Sequence, residues 1–260
     1  MSSFSTGLSG PLSSLGQQFH PANGLQMYSD FAGDFSPFFI CTGTSGSSNS
    51  STFVMGNSLA DKAFGECQMT LAALQGARIG IFAGTATNSI GNYSNSTFGV
   101  ATVSPQIVDR SYKFTDMPYD FEARVALTNF PTALQKLCVG FAETHAGPST
   151  TLHVTNGAAF TAVGGGNWQC TVAAAGVSTV TSTSYSSSVY QRLRIRTNPT
   201  SNTIEFIIND QLVHSTTPTW DTANSLLIWG AEAREKGVTG ALAAGQWKAD
   251  YMRLVGSIAR

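Results

Sequence analysis

The chain has 260 residues, enough for one large β-sandwich or two small domains and for a substantial core. Apolar residues make up 42% but charged residues only 11%, well below the roughly 25% of ordinary soluble proteins, so a neutral surface rich in Ser, Thr, Gly and Asn is expected. A net charge of -1 without any basic run argues against nucleic acid as a partner, and no apolar stretch approaches the roughly 20 residues that span a bilayer, so no membrane is expected either.

Residues 1–25 form a Ser/Gly/Leu/Pro segment without periodicity and read as an N-terminal arm, leaving residues 26–260 as the folded domain. Phe4, Leu8, Leu12 and Leu15 are the arm residues expected to pack on neighbouring subunits. The start carries neither a basic region nor an apolar signal core, so synthesis in a host cytoplasm without a cleavable export signal is the expectation. Polar loops follow at 42–52 and 87–97, with a strand-like run at 77–83 between them. Only 59–74 and 231–243 offer room for a short helix, and neither carries an apolar stripe.

The second half is more explicit. In Phe121-Glu-Ala-Arg-Val-Ala-Leu127 every second side chain is apolar, the period of a half-buried antiparallel strand. Gln191-Arg-Leu-Arg-Ile-Arg196 repeats that pattern with Leu193 and Ile195 inward. Residues 203–214 show two β-rich runs hinged on Asn209-Asp210, residue types that tolerate the left-handed angles of a tight hairpin. Further strands are predicted over 137–142, 158–163, 177–183, 190–197 and 250–254, the spacing of an all-β, antiparallel β-sandwich.

Cys41, Cys67, Cys138 and Cys170 include no Cys-x-x-Cys pair, so free thiols are expected, with a Cys138–Cys170 bridge as the alternative. His20, His145, His153 and His214 have no metal-ligand spacing, and Gly164-Gly-Gly166 lacks the Lys-Ser/Thr of a phosphate loop. No cofactor, metal or catalytic residue is therefore expected. Trp168, Trp229 and Trp247 lie in apolar surroundings and read as core or interface, whereas Trp220, with Tyr185 and Tyr190, is the candidate ligand or interface aromatic.

Asp30-Phe31, Tyr119-Asp-Phe-Glu-Ala-Arg-Val125, Cys138-Val-Gly-Phe-Ala-Glu143, Asn167-Trp168, Arg192-Leu-Arg-Ile-Arg196, the hairpin over 204–213 and Ala249-Asp-Tyr-Met-Arg-Leu254 follow one another along the chain. This order of elements resembles the concanavalin A-like lectin/glucanase jelly roll, in the versions found in tailed-bacteriophage proteins. Glycoside hydrolases of this fold place paired carboxylates on one strand. Here Glu205 shares a face with Asn209 while Asp210 belongs to the turn, so no carboxylate pair results, and Glu232 and Glu235 sit beside Arg234 and Lys236 as a self-compensating loop or short helix. The expectation is thus a non-enzymatic virion protein, a capsid decoration or cement protein on the head surface. It would act as a homo-oligomer, with a trimer expected, against the major capsid protein. A tail-fibre or spike module that recognises host surface glycan is the alternative, and a glycoside hydrolase comes third.

Overall fold

The computed structural model describes residues 18–20, 24–29, 39–42, 52–55, 67–71, 77–81, 117–129, 135–142, 157–163, 166–219, 228–235 and 245–256. These hold sixteen strands: β1 (Gln18–His20), β2 (Gly24–Ser29), β3 (Phe39–Thr42), β4 (Thr52–Met55), β5 (Cys67–Leu71), β6 (Ala77–Ile81), β7 (Tyr119–Asn129) and β8 (Gln135–Ala142), then β9 (Gly157–Val163), β10 (Asn167–Ala174), β11 (Val177–Ser186), β12 (Gln191–Asn198), β13 (Thr203–Ile208), β14 (Gln211–Thr216), β15 (Ile228–Glu235) and β16 (Gly245–Gly256). One sheet runs β1-β2-β16-β7-β12-β13-β14, with β4 and β5 joined to it through β16, and the other runs β11-β10-β9-β8-β15-β6-β3. Every pairing is antiparallel.

Alternation places the core between the sheets. Phe121, Ala123 and Val125 of β7, Leu193 and Ile195 of β12, Ile204, Phe206 and Ile208 of β13 and Met252 and Leu254 of β16 are all buried. Phe160 of the second sheet meets Phe206 edge-on at 5.2 Å between ring centroids and Trp168 at 6.5 Å, so three large aromatics clasp the two sheets. Phe160, Trp168 and Phe206 are each fully buried.

The turns explain the hairpins. Asn209 and Asp210 have φ of 50° and 67°, the two positive values that a two-residue turn matching the sheet twist demands, as their types predict. Ala175 and Gly176 do the same between β10 and β11 with φ of 49° and 80°, and there an alanine accepts a conformation its Cβ disfavours. Asn209 also ties its hairpin down: its backbone N–H donates to the Arg192 carbonyl at 3.0 Å, and its side-chain oxygen accepts from the Arg192 N–H at 3.0 Å. The crossover from β11 to β12 is stitched at both sheets, because the Leu127 N–H donates to the Ser187 carbonyl at 2.8 Å and the Ser187 N–H to the Gly166 carbonyl at 3.1 Å.

Several sequence-based expectations change. The arm read over 1–25 overlaps β1 and the start of β2, which pair with each other and reach the sheet through β16; hydrogen-bonding partners distant in sequence, invisible to a periodicity argument, recruit them. The arm residues Phe4, Leu8, Leu12 and Leu15 lie outside the described residues. The segment 231–243 begins as strand, since β15 pairs with β8 and β6, and 67–71 of the other helix candidate is strand β5. Glu232 and Glu235 therefore belong to a central strand, not to a loop or helix.

Candidate functional site

The richest chemistry among the described residues is on the outer face of the larger sheet. In β7, Asp120, Glu122 and Arg124 alternate with the buried apolar residues, and in β12 Arg192, Arg194 and Arg196 do the same. The register sets Arg196 against Asp120 and Arg194 against Glu122, while β16 brings Arg253 against Glu122 and Tyr251 against Arg124. Opposed acid and base across neighbouring strands is the favourable cross-strand arrangement.

Five arginines and five carboxylates gather here, from only 14 basic and 15 acidic residues in the whole chain. Arg194 donates to both oxygens of Asp120, through Nε at 2.7 Å and through Nη2. Those bonds hold its guanidinium above the ordinary arginine value, against the opposing effect of burial, with the charges of Asp120, Glu122 and Glu205 adding to the rise. Arg253 lies 3.4 Å from Glu122 and 3.8 Å from Asp120. Arg124 pairs with Asp250, Arg192 with Asp210, and Arg196 with Glu205 at 2.7 Å. The Tyr251 hydroxyl donates to Glu122, and burial first, then that bond, pushes its phenol pKa up.

Sequence reasoning overlooked the Asp120-x-Glu122 pair, although an acid at alternate positions facing the Arg-x-Arg-x-Arg of β12 was visible in the string. The pair puts two carboxylates on one face of one strand, but arginines occupy both. A glycosidase pair must face the scissile bond from both sides, and here arginine side chains stand against both carboxylates. Glu205 is likewise bound by Arg196, and Asp210, in its turn, by Arg192.

The outer face of the smaller sheet is different. Cys138, Ala159, Thr161, Thr171 and Ala173, which alternate with core-facing Val139, Phe160 and Cys170, are small and buried. The Thr161 and Thr171 hydroxyls satisfy each other at 2.8 Å. Cys138 and Cys170 are free thiols on opposite faces, so the bland reading of these two holds and the bridge does not.

Burial raises the Cys170 thiol from 9.0 to about 12. A pKa higher in the folded than in the unfolded chain gives stability that is intact below pH 9.0 and is lost as the pH rises toward 12. Urea midpoints of the wild type should therefore fall between about pH 9 and 11, and Cys170→Ala should flatten that slope while leaving it unchanged below pH 9.

Of the candidate aromatics, Tyr185 donates its hydroxyl to Gln211, bridging edge strands β11 and β14 of the two sheets. Tyr190 instead lies under the Arg124 guanidinium, 4.6 Å from the ring centroid, and Tyr28 stacks on Tyr251 at 6.2 Å. Trp220 is outside the described residues; Trp168 is core, as expected, and for Trp229 and Trp247 only the strand backbone is described. Among the described residues no cluster of His, Cys, Asp and Glu has metal-binding geometry.

The described surface also has one polar recess of about 370 Å³ where β12 and β13 meet, lined by Pro118, Arg196, Asn198, Ser201, Thr203 and Glu205.

Several solved structures superpose on this pair of antiparallel sheets. A protein of unknown function from Shewanella oneidensis MR-1, SO2946, superposes with a TM-score of 0.56 at 12% identity, covering 100% of this chain and 97% of that one. The β-glucanase of Bacillus licheniformis superposes with a TM-score of 0.53 at 11% identity over 93% and 99%, and the carbohydrate recognition domain of Emp47p with 0.53 at 10% over 90% and 95%. The fold is the concanavalin A-like jelly roll. No protein-family model and no curated relative matches the chain. At such identities the likeness to glucanase and lectin domains fixes the jelly roll and leaves the chemistry to this chain's own residues.

Proposed function

We propose that this jelly roll works by assembly and not by catalysis, as a non-enzymatic structural protein of a bacteriophage virion that decorates the head surface as a homo-oligomer. The observation that carries it is how the described surface is divided. Charge is gathered on the outer face of the larger sheet and consumed there in mutual pairs. Among the described residues the exposed large apolar side chains Val177, Val180, Val189 and Leu212 instead lie on β11, β14 and the turn after β11, along the flank where these two strands end their sheets. A protein that must cover shell subunits has use for such a flank, and internal charge compensation removes long-range repulsion between neighbouring copies. Both carboxylates of the best-placed acid pair are engaged by arginine, which supports the non-enzymatic part of the reading. Gold-labelled antibody to the chain should decorate the heads of purified particles of the encoding phage. Label confined to tail tips, or particles without the chain, would overturn the head assignment.

Glycan recognition is the second reading, favoured by the recess beside β12 and β13. Arg196 and Glu205 stand side by side at 2.7 Å with Asn198, Ser201 and Thr203 around them, a mixture of donors and acceptors that vicinal sugar hydroxyls satisfy. If this reading holds, the isolated chain binds host glycans on an array saturably and Arg196→Ala with Glu205→Ala abolishes the signal; absence of any binding by the wild type removes it.

A further inference from the structure

We propose that Glu205 sets the specificity of the recess at β12 and β13: by holding Arg196 it admits the terminal residue of a neutral glycan and refuses sugars that carry a carboxylate. This deepens the glycan reading above, on which it rests, by naming the class of sugar.

The recess is built on a fixed turn. The Asn198 side-chain oxygen accepts from the Thr200 N–H at 3.0 Å and from the Ser201 N–H at 3.3 Å, while Asn202, with φ of 52°, donates from its side-chain amide to the Pro218 carbonyl. Its polar groups are thus positioned before a ligand arrives, which lowers the ordering cost of binding. At about 370 Å³ it stands near the lower end of the range of roughly 300–1,000 Å³ for small-molecule sites, so it has room for one sugar ring and not for a run of them.

Charge decides which ring. Among the described residues of the lining only Arg196 and Glu205 are charged, and the register of β12 and β13 sets them opposite each other, paired at 2.7 Å. Asp120, which lies against Arg196 on the β7 side, is engaged by Arg194 through Nε at 2.7 Å, so Glu205 is the carboxylate that compensates Arg196. A sugar carboxylate approaching that guanidinium meets Glu205 already on it, and binding would set two anions against one cation; such like-charge juxtaposition is how a site rejects a wrong partner. A neutral vicinal diol has no such conflict. One hydroxyl accepts from Arg196 while its neighbour donates to Glu205, and the ion pair stays in place. Asn198, its oxygen engaged by the turn, offers Nδ2 as a further donor, and the Thr203 hydroxyl, which donates to the Ser201 carbonyl at 3.3 Å, offers its oxygen as an acceptor.

Methyl glycosides of glucose, galactose and mannose, each beside the corresponding uronic acid, differ in one group, a hydroxymethyl against a carboxylate, and isolate the effect of charge. Titrated into the full chain at neutral pH and followed through the amide resonances of residues 196–205, at least one neutral glycoside should bind tenfold or more tightly than its uronate. Glu205→Gln keeps the size of the side chain and releases the charge of Arg196, so it should raise affinity for that uronate at least tenfold, and adding Arg196→Gln should cancel the gain; the far-ultraviolet spectrum and thermal transition of both variants should match the wild type. A wild type that takes the uronate as tightly as its neutral partner, or a Glu205→Gln variant that gains no affinity for it, would overturn the proposal and leave the glycan reading standing. Silence from all six glycosides overturns the proposal as well, and the glycan array on the wild type then decides whether the glycan reading falls with it.

Discussion

Phe206→Ala should destabilise the domain by about 3–5 kcal/mol, the range for truncating a fully buried aromatic. Phe206 is completely buried, stands edge-on to Phe160 at 5.2 Å and packs over His214 at 6.0 Å. Its removal takes away the larger sheet's contribution to the aromatic clasp and leaves a void that neither rigid sheet can close. Its neighbour Glu205 points the other way. That carboxylate is one-third exposed and pairs with an Arg196 side chain that is 46% exposed, so Glu205→Ala should cost under about 1 kcal/mol. Urea unfolding of the two variants checks both values, and a larger loss for Glu205→Ala would contradict the observed register.

Gly140→Ala should be worse than its single added methyl implies. Gly140 has φ of 154°, a region open to glycine and costly for any residue with a Cβ. An added Cβ would also run into the carbonyl oxygen of Ala158, and would lie 2.8 Å from the Ala159 Cα and 2.9 Å from the Ile195 Cδ1. Two of these three obstacles are backbone of the paired strand β9, so the collision is relieved only if β8 and β9 separate at the centre of their sheet. A loss above about 4 kcal/mol is expected, in the class of damage reserved for combined strain and overpacking. Adding Ile195→Val removes the one obstacle that is a side chain and should recover a minor part. Full recovery in the double variant would show that the backbone contacts are unimportant.

The strands β7, β12 and β13 and the hairpin at Asn209-Asp210 were legible because one face of each is buried and the other is solvated, which writes a period of two into the string. Strands buried on both faces were read from short apolar runs, as with β8 and β9. β15 was missed for the reason that Ile-Trp-Gly-Ala-Glu-Ala-Arg-Glu suits a helix locally and becomes strand by pairing with β8 and β6 on its two sides.

By itself, then, the sequence determined the fold class, the inward and outward faces of the best strands and the sparse charge of the surface, because local alternation and composition are properties of the string. Tertiary structure alone decided where that charge goes. Asp120 and Arg194 are 74 residues apart and Glu122 and Arg253 are 131 apart, and only the order β16-β7-β12 makes them neighbours. The same holds for the flank where β11 and β14 end their sheets: a strand's sequence says that it is polar and uncharged, but whether its edge is covered depends on which strand, if any, the fold lays beside it.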